Sequence, residues 1–309
     1  MKDEIIYRIL TVMMNLIGLI PRRIGKFLGD VLGLIWFKID KRHREITLEN
    51  ISLSLGRKSN SKNKLTELEE LLLGKKIFKN IAGMIFELGW GYRLKREDLA
   101  KYFKLIGLNN LKRAFDKGKG VLFILCHIGN WEFLVSSIAL TGYKSSALYR
   151  KLDFLPLERL ITEMRQRYGT VMVPLRGASK KIDGLLAEGE LVGTLMDQNV
   201  DWYKGVFVEF FGRPACTNSG VASLVLRTGT AVIPAYIVRD GYINHVMYFE
   251  PEIPLVRTGD KIKDIEINTQ NYTSAIESII RRYPDQWFWV HNRWKVKNYS
   301  LLPSERLNP

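Results

Sequence analysis

In the stretch VLFILCHIGNWE, six apolar residues run into His127, and Glu132 stands five positions further on. A carboxylate hydrogen-bonded to one imidazole nitrogen fixes the tautomer and stabilises the imidazolium, which leaves the other nitrogen to take a proton. Such a pair activates a hydroxyl, and if the hydroxyl belongs to a substrate, no Ser or Cys nucleophile is required. The same spacing also suits a core histidine tied down by a helix-terminal glutamate, because structural networks hold such pairs too.

Local elements have to bring the two side chains together. VLFILC has the unbroken apolar character of a strand buried on both faces and is short for a helix, so a strand is expected to end at His127. Ile128 and Gly129 make the turn, Asn130 is the expected N-cap, and WEFLVSSIAL continues as a helix to a stop at Gly142. Glu132 then lies in the first helical turn, folded back toward the histidine. Cys126 precedes His127 but points to the opposite face of the strand, so it is expected to be buried and inert.

Beyond Leu99 the sequence alternates short apolar runs with helical patterns: FKLIG, GVLFILCH, KSSALYR, VMVPL, LVGTLMDQN, TAVIPAYIV and INHVMYF. This rhythm implies an α/β fold, a mostly parallel central sheet flanked by helices. Sites in such sheets gather beyond the carboxyl ends of strands, where His127, Arg150 and Asp197 fall, so one pocket is expected to collect them. A long helical pattern, KLTELEELLLGKKIFKNIAGMIFELGWGY, starts at Lys64, and the polar run from Ser59 to Asn63 reads as a linker. The chain thus divides into N-terminal helices over residues 1–58 and a main domain over residues 59–309.

Two apolar helical stretches open the chain, one from Glu4 and one from Ile24, broken by Pro21, Arg22 and Arg23. Neither is a clean span: the first falls slightly short of the ~20 residues a bilayer core needs and holds Arg8 and Asn15, and the second holds Lys26 and Asp30. A pair of core helices is one reading. A membrane anchor is the favoured one, because Arg22, Arg23 and Lys26, and then KIDKRHR from Lys38 to Arg44, crowd basic charge beside the apolar segments. No small-residue cleavage site follows, so a removed signal peptide is not expected.

The chain has 309 residues, 46% hydrophobic and 26% charged, which excludes a disordered or collagen-like class. Lys and Arg outnumber Asp and Glu by 47 to 32, and the net charge of +15 favours an anionic partner. The basic residues are scattered among acids and no zinc-finger, RNP-type or P-loop pattern is present, so nucleic acid is not the expected partner. Cys126 and Cys216 stand at no metal-site spacing, which argues against a zinc site or a disulfide framework and suits a reducing compartment.

The HIGNWE segment resembles the HxxxxE motif of the lysophospholipid acyltransferase superfamily, and specifically of the lipid A biosynthesis (late) acyltransferases of lauroyl and myristoyl transferase type. Further blocks follow in the family's order: Tyr149-Arg150, Asp197-Gln198, VFVEFFGRPA, which resembles a loop of the family, and DQWFWVHNRWK from Asp285. Lys151 and Glu209 depart from the pattern, each where Pro is usual. The resemblance implies a glycerol-phosphate-acyltransferase-like fold at the cytoplasmic face of the cell inner membrane. It implies transfer of an acyl chain from acyl carrier protein, or acyl-CoA, to a glycolipid hydroxyl, with neither a metal nor a cofactor expected. His127 is then the general base and Glu132 its orienting and charge-supporting partner. Arg150, Asp197, Gln198, Asn130 and Arg293 are expected to meet substrate, Arg150 as donor to the oxyanion or to a phosphate. Asp197 is expected either to position that arginine or the acceptor, or simply to cap a helix. Trp287, Trp289 and Trp294 are expected to pack, either in the core or against acyl chains, and His291 to support structure; His43 and His245 carry no signal.

Two other readings share these features. One keeps the chemistry and changes the acceptor to a phosphatidylinositol mannoside or a lysophospholipid. The other is a basic membrane-surface protein that binds without turnover, which has no need of His127 and Glu132 in one pocket.

Overall fold

A computed structural model describes residues 2–59, 63–241 and 244–296. Four helices come first: α1 (Lys2–Ile17), α2 (Arg22–Ile39), α3 (Lys41–Ser54) and the long α4 (Glu67–Arg93). Most of the linker expected at Ser59 to Asn63 lies outside the described residues. Thr66 starts α4 with a capping box, its hydroxyl accepting from the Glu69 N–H while the Glu69 carboxylate accepts from the Thr66 N–H.

α1 and α2 meet at 115°, and no single helix among the described residues is long and apolar enough to cross a membrane. α1 buries no residue, so it is not a core helix. Ile5, Ile9, Val12 and Leu16 on α1, and Ile24 and Phe27 on α2, stand exposed. The opposite face of α2 presents Gly25, Gly29 and Gly33 to α4. A Cβ at Gly29 would lie 2.7 Å from Gly83 Cα, and one at Gly33 2.4 Å from Lys79 Cα. The two backbones therefore approach to a distance that only glycine permits.

The α/β portion adds α5 (Leu99–Tyr102), β1 (Phe103–Ile106), α6 (Leu108–Phe115), β2 (Val121–Leu125), α7 (Leu134–Ile138), β3 (Ser145–Tyr149) and α8 (Leu155–Gln166). It continues through β4 (Val171–Pro174), α9 (Ser179–Ala187), β5 (Leu191–Leu195), β6 (Gly205–Phe210), β7 (Arg213–Asn218), α10 (Gly220–Thr228), β8 (Ala231–Asp240), β9 (Asn244–Phe249) and α11 (Lys261–Arg282). Seven strands form one sheet in the order β1-β9-β8-β2-β5-β3-β4. Each neighbouring pair is parallel except β8 with β9. β2 lies at its centre, and the alternation of the strand sends Leu122 and Ile124 into one core and Val121, Phe123 and Leu125 into the other. That double burial is why the run reads as continuously apolar.

Two local expectations are corrected. VFVEFFGRPA is no loop but the antiparallel β6–β7 hairpin, turning on Phe211 and Gly212, both at positive φ as a two-residue hairpin turn requires. The WEFLVSSIAL helix is broken, with α7 flanked by 3-10 turns at Trp131–Phe133 and Ala139–Thr141. Asn130 makes no cap bond to it, because its side chain is drawn to α4 instead.

Candidate active site

β2 ends just before His127, and the neighbouring β5 ends just before Asp197; Leu125 and Leu195 are register partners, so the two polar residues leave the sheet side by side. His127 Nδ1 lies 2.7 Å from Asp197 Oδ1. Asp197 Oδ2 accepts from the His127 N–H at 2.9 Å and from Trp287 Nε1–H at 2.7 Å. With this carboxylate ionised, Nδ1 carries its proton and Nε2 is left as the basic nitrogen. Burial of the ring pulls its pKa down, but the charge and hydrogen bond of Asp197, helped by the charge of Glu132, outweigh that, and the net shift is upward. Burial likewise opposes ionisation of Asp197, and the charge of His127 with the three donors holds its pKa below the ordinary value.

The carboxylate in contact with the His127 ring is therefore Asp197 and not Glu132. Glu132 turns to Arg165 of α8, which donates from Nε at 2.8 Å and from Nη2 at 2.7 Å in a bidentate pair. The 3-10 turn at Trp131–Phe133 carries the Glu132 carboxylate outward to α8 rather than back to the ring. Its charge still acts on His127, and both residues line the same groove. Nη1 of Arg165 is not used by Glu132, and this arginine was not foreseen from the sequence. Its only advance signal was position on an amphipathic helix beside the β3 loop.

The groove encloses about 1070 Å³ of empty space, part of it open to solvent. His127, Trp131, Glu132, Arg165, Arg150 and Gln198 supply its polar side, and Leu125, Leu134, Val135, Leu148 and Leu195 its apolar side. β3 pairs with β5 only as far as Ala147 and Gly193. Past that point a second cavity against α9 and α10 shares Leu148, Leu175 and Thr194 with the groove.

The other expected residues divide. Arg150 and Gln198 reach the groove, but the Arg150 side chain is 84% exposed, at the rim, with Asp153 3.9 Å away. Asp197 positions neither Arg150 nor a helix; it holds His127. Asn130 is fully buried and donates to Glu87 Oε2 of α4 at 2.8 Å, so it braces the turn rather than meeting substrate. Arg293 is 1% exposed and donates to the Cys216 carbonyl and to Thr217 Oγ1 on β7, which removes it from any lipid or carrier. Its Nε has no partner. Trp287 and Trp289 are core residues, the first also a donor to Asp197, and Trp294 stacks on Phe210. His291 Nε2 accepts from the Asn199 N–H at 3.2 Å. Cys126 is buried, with its thiol pKa pushed up by burial and by Asp197.

The turn after β2 is gripped from both sides. Gly129 N–H donates to the Gln286 carbonyl and Phe288 N–H to the His127 carbonyl, each at 3.0 Å, while Ile128 N–H donates to the Cys126 carbonyl. Gly129 sits at φ 61°, and a Cβ there would meet the Ile237 carbonyl oxygen at 2.2 Å, so only glycine fits. The backbone N–H groups of residues 127 to 129 are thus spent on the protein itself. Arg165 and Arg150 are the cations that line the groove.

The sequence model of the bacterial lipid A biosynthesis acyltransferase family matches residues 3–296. Lipid A biosynthesis palmitoleoyltransferase of Escherichia coli is 26% identical over 280 residues, 90% of this chain and 87% of that one. Lipid A biosynthesis lauroyltransferase of the same organism is 22% identical over 273 residues, 87% and 85% of the two chains. Phosphatidylinositol mannoside acyltransferase of Mycolicibacterium smegmatis is 26% identical over 199 residues, 63% and 64%. A match across nearly the whole described chain, over a groove built around a histidine and a buried aspartate, has one consequence: this protein is an acyltransferase and belongs to the bacterial lipid A biosynthesis acyltransferase family.

Proposed function

We propose that the enzyme moves a fatty acyl chain from a thioester donor, acyl carrier protein or acyl-CoA, to a hydroxyl of a glycolipid, a lipid A precursor. His127 Nε2 takes the hydroxyl proton as the oxygen attacks the thioester carbonyl. The tetrahedral intermediate collapses with cleavage of the C–S bond, and the imidazolium returns its proton to the departing thiolate, giving ester and thiol. Asp197 keeps the proton on Nδ1 and balances the imidazolium. Glu132 adds its field and holds Arg165 at the groove wall, where Nη1 meets the oxyanion or a phosphate. The observation that carries the reading is the 2.7 Å contact of His127 with buried Asp197 at the floor of a half-apolar groove.

Work takes place at a membrane surface, in this reading the cytoplasmic face of the inner membrane. The exposed apolar residues of α1 and α2 beside Arg22, Arg23 and Lys26 support it, as residues that lie in an interface do. The +15 charge draws in an acidic carrier protein and a phosphorylated glycolipid. The test is to incubate membranes containing the enzyme with carrier-linked and CoA-linked acyl donors and a panel of glycolipids. Mass spectrometry then looks for one added acyl group. A lipid A precursor that gains no acyl mass with either donor defeats the reading, and gain on a mannoside alone would move the enzyme to the other acceptor.

A further inference from the structure

We infer that a second, unassigned site lies between the N-terminus of α2, the middle of α4 and the β8–β9 hairpin, and that it binds a phosphate group, as borne by an anionic phospholipid. The hollow there is narrow and partly open to solvent, and is lined by Ile20, Lys26, Lys79, Trp90, Arg239 and His245, among others. It is separate from the acyl-transfer groove, with which it shares no lining residue.

Three observations point to an anion. First, cations dominate: Lys26, Lys79 and Arg239 line the hollow, with the Arg22 guanidinium stacked over the Trp90 and Tyr102 rings at its edge, against the single lining carboxylate of Glu87, which Arg239 already neutralises through Nε at 2.6 Å and Nη2 at 2.8 Å. Lys26 also pairs with Asp30, so the lining keeps a positive excess. Second, buried donors are left over. His245 is 3% exposed, neither ring nitrogen has a hydrogen-bond partner, and Glu87 Oε1 lies 3.8 Å from Nε2. Nη1 of Arg239 is also without a partner. Buried donors in such a state lack the partner that most buried polar groups have, and here they stand together at one hollow already rich in cations. Third, the 18-residue α2 begins here, capped by Pro21, which offers no side-chain acceptor, so the positive end of the helix dipole faces the hollow.

The walls identify the kind of anion. Ile20 and Phe86 give the hollow an apolar side, and Ile20 stands at the α1–α2 bend, next to exposed Leu19 and close in sequence to exposed Ile24. A lipid phosphate with its glycerol backbone matches that mixture better than a bare inorganic ion. Lys79 and Gly83 provide handles: a Cβ at Gly83 meets nothing within 4 Å, so a larger side chain there fills the hollow.

The experiment measures Tm of the full chain, in a neutral detergent at fixed ionic strength, against inorganic phosphate, dihexanoyl phosphatidylglycerol and chloride. NMR of the His245 ring nitrogens localises the effect. The expected result is a saturable rise in Tm and a moved His245 signal with phosphatidylglycerol. Gly83→Leu should abolish both, and Lys79→Gln should weaken binding about tenfold, the worth of one charge-assisted hydrogen bond. An equal response to inorganic phosphate would make the phosphate alone the ligand; response to the lipid only would assign the apolar walls a role. No rise beyond chloride with either probe overturns the inference, as does a rise that persists in both variants. If Gly83→Leu fails to fold, a His245 signal unmoved at saturation overturns it. None of these readouts depends on acyl transfer.

Discussion

Asp197→Asn is the substitution on which the catalytic reading can fail most clearly. The carboxylate accepts three hydrogen bonds: Oδ2 takes the His127 N–H and the Trp287 indole N–H, and Oδ1 takes Nδ1. An amide has one oxygen. Placed at the Oδ2 position it keeps two donors, but its NH₂ then faces Nδ1, which must become the acceptor. The ring proton moves to Nε2, and the nitrogen facing the groove is no longer a base. The lost charge adds to this. With charge centres ~4 Å apart and an effective dielectric constant near 20, the Asp197–imidazolium attraction is worth ~4 kcal/mol, about a thousandfold in rate. We expect kcat to fall about 10³-fold or more with KM changed less than about threefold, because the interaction strengthens only as the proton arrives. The pH profile supplies an independent check. In the wild type the upward shift of His127 puts the acid limb of kcat/KM above the ordinary histidine value of 6.5, since the base must be neutral to act. Without Asp197, burial dominates and any residual limb moves to lower pH. Steady-state kinetics across pH, with ¹⁵N spectra of the ring to read the tautomer, make the test. A variant within tenfold of wild type, or one with Nδ1 still protonated, would refute the reasoning.

Glu132→Gln should cost less, about tenfold in kcat, and shift the acid limb slightly downward, because Glu132 acts on the ring through its field; a loss equal to that of Asp197→Asn in the same assay would return the orienting role to Glu132. Arg293→Ala should destabilise the fold by about 2–4 kcal/mol in urea titration through loss of two buried charge-assisted bonds, and a selective rise in KM at unchanged stability would contradict its structural role. His291, its pKa lowered to about 4 chiefly by burial, stays neutral in the fold while the unfolded chain protonates near 6.5. Stability should therefore fall as pH drops from 6.5 to about 4, and Tm measured across that window should decline less in His291→Gln. Gly33→Val drives a Cβ to 2.4 Å from Lys79 Cα, and thermal unfolding should show a loss of at least about 1–3 kcal/mol by overpacking.

The sheet was legible because its strands are buried on both faces and announce themselves as unbroken apolar runs; VLFILC and TAVIPAYIV became β2 and β8. The hairpin was not, since alternating residues around FFG serve a loop or two short strands equally well. His127, Asp197 and the groove were legible from strand ends. The partner of the histidine was not, because Glu132 is near in sequence while Asp197 reaches it across 70 residues by strand register. Asn130 and Arg293 looked available for substrate only because burial is a property of the assembled fold. The glycine row of α2 carried a close-packing signal at four-residue spacing, hidden inside a stretch whose hydrophobicity drew attention to lipid.

The grip of residues 286 to 288 on the turn after β2 has a temporal consequence. A ribosome emits His127 long before Trp287, yet the carboxylate beside that imidazole is completed by the indole of Trp287, and the turn is pinned by Gln286 and Phe288. A nascent or C-terminally trimmed polypeptide that assembles β1 to β9 would bring His127 beside Asp197 but lack the indole donor to that carboxylate and the backbone bonds that pin the turn. On the proposed mechanism, full bracing of the histidine thus arrives last, after the segment following α11 has docked.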